Sequence, residues 1–472
     1  MRECRGGASC SPFVRLGSLL VLLTTLLTAP LVGTVVYTSY SDVRAVLTAL
    51  SEIVPAELKQ QDQTTLARAW DAWAAHQDRE IRARLERGDE DTIVNWLLFG
   101  TSFTSRPRAA FESSATDAAE LLQLVAARTQ DLTIALQTPG TDERRLFARQ
   151  LLERKGYRFA TVADRAQVSQ QLLAEVARVA REQAVYARDL GDIRRLEDVT
   201  EQFAARSRLF RARGLSLDTS ILPSLAIERS LGELRARGLV AANSVREVAV
   251  IGPGLDFSDK GSGYDFYPEQ TLQPFTLMDS LVRLGLTDRT NPAHVTTLDL
   301  SPRVNDHLTR ARQRASRRLP YVIRLPLDAG LSWKPEVMAY WNSALDRIGT
   351  VLPTPNRPAV GKDVRVRAIS IPPRVVLQIQ PEDVDVVVQR LIGRRFDLMI
   401  ATNVFVYYDL LDQVLAFSNV EAMLQPGGLL LSNNSLLELP ASRLRSAGYL
   451  TVQYSDRPDD GDHVVWYRRL PD

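Results

Sequence analysis

Two glycines flank a proline where an apolar run ends in "VREVAVIGPGLDF", residues 245–257. At Gly252 and Gly254 no Cβ stands in the way, so ligand atoms can approach the backbone closely. A second apolar run, "TTLDLSPRV", ends in Asp299, whose carboxylate can accept both hydroxyls of a ribose. Each such charge-assisted hydrogen bond contributes about 1.5–3 kcal/mol. Ser301 and Pro302 then open a helix, with proline suited to its first turn. A third run, "FDLMIATNVFVYYD", places Asn403 at its end and follows it with Val404, Tyr407 and Tyr408. Taken singly these are weak signals, since strand ends favour Gly and Asp in any sheet. Taken in order they point to a nucleoside-bearing ligand.

Such residues work together only if one sheet brings their strand ends to one edge. After Ala242 short Val, Ile and Leu runs alternate with amphipathic helices, the pattern of a parallel sheet covered on both faces. Strands are expected at 247–251, 294–300, 363–371, 396–403 and 427–432, with helices in "PFTLMDSLVRLG", "PRVNDHLTRARQRA" and "DLLDQVLAFSNVEAML" between them. "YLTVQYSD" and "HVVWYRRL" read as a hairpin that gives the sheet an antiparallel edge. The fold class is therefore α/β, a Rossmann-like doubly wound and mostly parallel sheet, in which ligands bind beyond the carboxyl ends where strand order reverses.

The preceding part, 43–240, is dense in Ala, Leu, Arg, Glu and Gln at helical spacing and reads as an all-helical region. Breaks are expected at "RGDED", "TSRPR", "TPGTDE" and "ARGLSLDTS". Trp70 and Trp73, and "NWLLFGTSF", are expected to be core. Residues 16–37 carry no charge and are long enough to cross a bilayer that needs ~20 residues, so a single-pass N-terminal anchor is expected. Arg2, Arg5 and Arg15 before it against Arg44 and Lys59 after it favour the bulk of the chain outside the cytoplasm, though only weakly, so the side of the membrane stays open.

The chain of 472 residues is 45% hydrophobic and 24% charged, with a net charge of +2, so nothing favours nucleic acid as a partner. Both cysteines, Cys4 and Cys10, precede the apolar span, and the four histidines show no paired ligand spacing. A metal site would have to be built mostly from carboxylates, and none is expected.

These segments in order resemble class I S-adenosylmethionine-dependent methyltransferases, and "FDLMIATNVFVYYD" followed by "MLQPGGLLLSNN" is most similar to the chemotaxis-receptor branch. The resemblance covers 245–472 and implies S-adenosylmethionine as cofactor, with contacts at Gly252, Pro253, Gly254, Asp299, Leu300, Ser301, Asn403 and Val404. It implies an acceptor that the sequence does not identify: protein carboxylate, small molecule or lipid. No catalytic residue is assigned.

The chain departs from the family pattern twice. Val250 stands where an acidic residue is usual, and Asp256 where a third glycine is usual. The insertion 255–273 supplies Tyr264, Phe266 and Tyr267, which either fold over the cofactor as a lid, the favoured reading, or pack on the sheet, while Trp333, Tyr340 and Trp341 are candidates for an acceptor pocket or for core. "DKGSG" at 259–263 has the acidic-x-Gly-x-Gly spacing without a strand before it. The alternative function is a membrane-anchored, non-catalytic module that keeps the fold as an interaction scaffold, its helical region's partner unknown. A nicotinamide-dependent oxidoreductase is disfavoured because "GPGLDF" lacks the G-x-G-x-x-G spacing.

Overall fold

The computed structural model describes residues 33–59, 62–109, 118–193, 195, 205, 209, 221–257, 264–328, 330–353, 364–457 and 460–471. In chain order its strands are β1 (Thr34–Tyr37), β2 (Glu247–Ile251), β3 (His294–Asp299), β4 (Tyr321–Asp328), β5 (Thr350–Leu352), β6 (Val364–Ile371), β7 (Ile379–Asp383), β8 (Gln389–Ile392), β9 (Phe396–Ala401), β10 (Leu424–Ser432), β11 (Leu444–Gln453) and β12 (Gly461–Arg469). The longer helices are α1 (Tyr40–Ala49), α2 (Gln63–Phe99), α3 (Ala118–Gln137), α4 (Glu143–Arg154), α5 (Val162–Ile193) and α6 (Leu222–Ala236) in the first half, then α7 (Gln273–Arg283), α8 (Pro302–Ser316), α9 (Pro335–Ser343), α10 (Pro373–Val376) and α11 (Leu410–Met423).

Seven strands make the main sheet in the order β11-β12-β10-β9-β2-β3-β7. β2 pairs in parallel with β3 on one side and β9 on the other, and its burial on both faces explains the unbroken run "VAVI". The chain winds outward from β2 through β3 to β7, then returns to lay β9 and β10 on the opposite flank. Strand order reverses between β2 and β9, so the expected doubly wound sheet has its switch point there. β12 runs antiparallel to both β10 and β11, which makes it the second strand from the end rather than the edge itself.

One expected strand belongs elsewhere. The sequence pattern places 363–371 in the parallel sheet, but β6 pairs antiparallel with β4 and β5 in a separate three-stranded sheet. Its sequence "VRVRAISI" carries Arg365 and Arg367 in alternation with apolar residues, the signature of a strand with one wet face. The third parallel strand is β7, "IQPED", whose Pro381 is tolerated because β7 ends the sheet. The "QPGG" of β10 forms a register shift between Leu424 and Leu429, beside the start of β9, and so lies at the sheet edge opposite the glycine turn.

α2 begins at Asp62, whose side chain accepts the Thr65 amide at 2.8 Å, and runs 37 residues without the break expected at "RGDED". Glycine inside a helix costs about 1 kcal/mol relative to alanine. Around Gly88 that cost is offset by ion pairs from Arg87 to Glu182, Asp89 to Arg303 at 3.2 Å and Asp91 to Arg178 at 2.6 Å. The break expected at "ARGLSLDTS" lies outside the described residues. Trp70 and Trp73 are buried, as are Trp96, Leu97 and Phe103. One apolar core extends from Val43 and Trp70 to Val250, Met399 and Leu430, joining the helical region to the sheet.

Of the span expected at 16–37, residues 16–32 lie outside the described residues. The end of that span is corrected by the structure: Thr34–Tyr37 form β1, which pairs antiparallel with β8. The run "TVVY" is β-branched and aromatic, which suits a strand. No helix among the described residues is long and apolar enough to cross a membrane.

Candidate functional site at the carboxyl edge of the sheet

The turn after β2 has a left-handed backbone at both glycines, with φ +61° at Gly252 and +67° at Gly254. Gly252 donates its N–H to the Leu298 carbonyl at 2.9 Å, tying the turn to the end of β3. The Gly254 and Ser301 amides both point to the Asp299 carboxylate, Ser301 at 2.8 Å. Asp299 is only 5% exposed. Burial pushes its carboxyl up to about 7, the neighbouring Asp383 adds to that, and the two amides oppose it. Gly254, Asp299, the backbone of Leu300 and Ser301 thus converge on one point.

A side chain at Gly252 would be strained and crowded, because its Cβ would fall 2.7 Å from Val404 Cγ2. Gly252→Ala is expected to destabilise the protein by about 1–3 kcal/mol, read from urea unfolding. A change below a few tenths would show that the turn is not held as described.

Val404 therefore sits against the glycine turn, but Asn403 turns the other way. Asn403 also has a left-handed backbone, φ +58°, which Asn accepts more readily than most residues. Asn433 Nδ2 donates to its side-chain oxygen at 2.7 Å, while its own N–H donates to Asn433 Oδ1 at 2.8 Å. Asn433 also reaches Asp462, so Asn403 is held toward the β10 and β12 side rather than toward Gly252. Pro253 is buried beneath the turn.

The residues that sequence reasoning missed come from α2, which lies across the carboxyl edge. Arg82 Nη2 contacts Asp383 at 2.8 Å, its Nη1 reaches the Leu300 carbonyl at 3.4 Å, and its Nε contacts Asp78 at 2.9 Å. Two residues on, Arg84 donates to the Tyr407 carbonyl at 3.0 Å. α2 thereby bridges the ends of β3, β7 and β9. Where Gln77, Ile81 and Arg84 meet Asp385, Val387 and Tyr408, a half-open cleft has a volume of about 30 Å³. That is water-sized, against the 300–1,000 Å³ typical of pockets for larger ligands. Asp385 is buried and pushed up to about 7, and burial together with Asp385 and Asp412 drives the Tyr408 phenol well upward. Nothing in the sequence of α2 signals Arg82.

The described residues of the insertion, 255–257 and 264–273, make their contacts away from this crevice. Asp256 is buried, accepting from the Tyr267 hydroxyl at 3.1 Å and from Gln270 Nε2 at 2.8 Å, and Gln270 in turn pairs with the backbone of Arg324 in β4. Tyr264 and Tyr267 pack against Val364 and Val366. Asp265 is buried against Thr101, Ser102 and Trp96, and Arg144 donates to the Phe257 and Tyr267 carbonyls. The expected lid is instead a graft that fastens the small sheet and the helical region together, because Asp265 finds its hydrogen-bond partners in the helical region and Gln270, which holds Asp256, finds its own in β4. "DKGSG" at 259–263 lies outside the described residues. Tyr340 and Trp341 are buried in the core, Trp341 also lining an open groove with Asn342, Val351 and Arg367 away from the glycine turn, and Trp333 packs at the core's margin.

No family model and no curated protein matches the chain. Among solved structures it is similar to the N-methyltransferase NodS from Bradyrhizobium japonicum WM9, at 13% identity and TM-score 0.26, covering 52% of this chain and 97% of that one. It is similar to the glycopeptide N-methyltransferase MtfA complexed with S-adenosyl-L-methionine, at 15% identity and TM-score 0.22, covering 52% and 67%. An O-methyltransferase family protein from Burkholderia thailandensis matches at 12% identity and TM-score 0.24, covering 85% and 98%. Likenesses this distant add nothing to what strand order and strand-end geometry establish.

Proposed function

We propose that the protein is an S-adenosylmethionine-dependent methyltransferase whose α/β region grips the adenosyl group between the glycine turn and Asp299, beneath α2. The observation that carries this reading is the convergence of Gly254, Asp299 and Ser301 beside the switch point of the sheet. These groups fit a nucleoside: a bare turn allows close approach, and a buried carboxylate without a cation beside it has lone pairs to offer ribose hydroxyls. The cofactor supplies an already activated methyl group. The protein's own part is placement, because aligning acceptor and methyl carbon at about 3–3.5 Å lowers a barrier by roughly 7–11 kcal/mol.

α2 must shift for a ligand of that size to enter, which gives the Arg82 contacts a gating role in this reading. The chemotaxis-receptor likeness favours a protein carboxylate as acceptor, and residues 16–32 would tether the enzyme to a membrane. A second reading, a non-catalytic scaffold, is favoured by one observation: α2 already fills the carboxyl edge with ion pairs.

Calorimetry of the full chain with S-adenosylmethionine separates the two. The enzyme reading expects binding that Asp299→Ala weakens about 10–150-fold, the equivalent of one charge-assisted hydrogen bond, and that Arg82→Ala strengthens about 2–5-fold by releasing a half-exposed ion pair. If neither the wild type nor Arg82→Ala binds the cofactor, the scaffold reading stands.

A further inference from the structure

Away from the crevice, three side chains from distant parts of the chain meet between the helical region and the sheet. They are Glu143 at the start of α4, Glu269 in the insertion and His307 on α8, and one ligand atom of each lies within 4.8 Å of the others. We propose that Glu143, Glu269 and His307 form a binding site for a divalent transition-metal ion, which clamps α4 and the insertion onto α8.

The geometry is near that of a three-ligand site with one position left open to solvent. Ligand atoms about 2.0–2.2 Å from a common metal stand roughly 3–3.5 Å apart, so side-chain adjustments on the order of 1 Å complete it. A mixed set of one imidazole and two carboxylates suits Zn²⁺, Mn²⁺ or Fe²⁺ better than Mg²⁺ or Ca²⁺, which prefer oxygen alone.

An independent observation points to a missing partner. Glu269 is 6% exposed, yet its Oε1 has no hydrogen bond. Buried carboxylate oxygens are rarely left so. Arg303 is the rival explanation, with Nη2 3.6 Å from that oxygen. That contact is too long to satisfy either group, and Arg303 Nε and Nη2 likewise lack hydrogen bonds. Arg303 is instead held by Asp89 at 3.2 Å and lies over Phe147, 3.9 Å from the ring centre.

His307 is 7% exposed, and its Nε2 is hydrogen-bonded to the Tyr321 hydroxyl at 2.8 Å. Tyr321 in turn accepts the Thr271 amide at 2.8 Å, so the ring is fixed from behind, which is how metal-binding imidazoles are usually oriented. With Nε2 so engaged, Nδ1 is the nitrogen that a metal would take in this arrangement. The spacing is illegible in sequence because 143, 269 and 307 share no motif.

The test uses the full chain stripped with a chelator, then titrated with Zn²⁺ and Mn²⁺ by calorimetry and thermal melting, with Co²⁺ absorption reporting the ligand set. One equivalent per chain should bind with a rise in melting temperature and cobalt bands typical of nitrogen and oxygen ligands. Glu143→Gln, at an exposed position where apo stability should hold, and His307→Gln should each weaken binding at least tenfold. Undiminished binding in both variants, or no melting shift with any of the three ions, would overturn the proposal.

Discussion

Asp299→Asn should gain stability over the wild type as pH rises from 4 to 8, by on the order of 2–4 kcal/mol. The sign follows from the direction of the shift. Burial lifts the Asp299 carboxyl from 3.8 to about 7, so between those values the folded chain holds a proton that the unfolded chain has released. Folding stability therefore falls as pH climbs through that window, and the full penalty is present above it. Asparagine keeps an oxygen for the Gly254 and Ser301 amides but carries no charge to desolvate. Urea unfolding of both proteins across the pH range checks this, and parallel pH profiles would refute it.

The other large effect is expected at Arg128, which is fully buried in α3 and donates to the carbonyls of Leu97, Gly100, Arg106 and Pro107. Burial pulls its guanidinium down to about 10, still charged at neutral pH. Arg128→Ala leaves the Leu97 and Gly100 carbonyls buried without their donor, and the part-buried Arg106 and Pro107 carbonyls as well, and should cost about 3–5 kcal/mol. Arg128→Lys should recover little, since one ammonium cannot span the fork. Loss of less than about 1 kcal/mol in urea unfolding would mean the loop after α2 finds water instead.

The sequence revealed what period and punctuation can reveal. β2 is an unbroken apolar run closed by glycine, β3 ends in Asp299, and the helices α7, α8 and α11 start at proline or Asp409, so their positions were legible. β7 was not, because an edge strand bearing Pro381 and two acids has no apolar signature. β6 was legible as a strand but not as a member of another sheet, since alternation reports faces and not partners. At the site, Gly252, Gly254 and Asp299 were visible because their chemistry is tied to strand ends. Arg82 was invisible, since an arginine on a polar helix face carries no mark of the acid it meets three hundred positions later.

β1 is paired with β8, and Thr38 beside it donates to Asn419, 381 positions away. During synthesis at about 5–20 residues per second, Thr34–Thr38 must wait roughly 20–75 s for their partners to leave the ribosome. Over that interval "TVVY" presents an unpaired strand to its surroundings. Its completion is thus a late event in biogenesis, and a chain halted before Gln389 would carry an open edge available to chaperones or to aggregation.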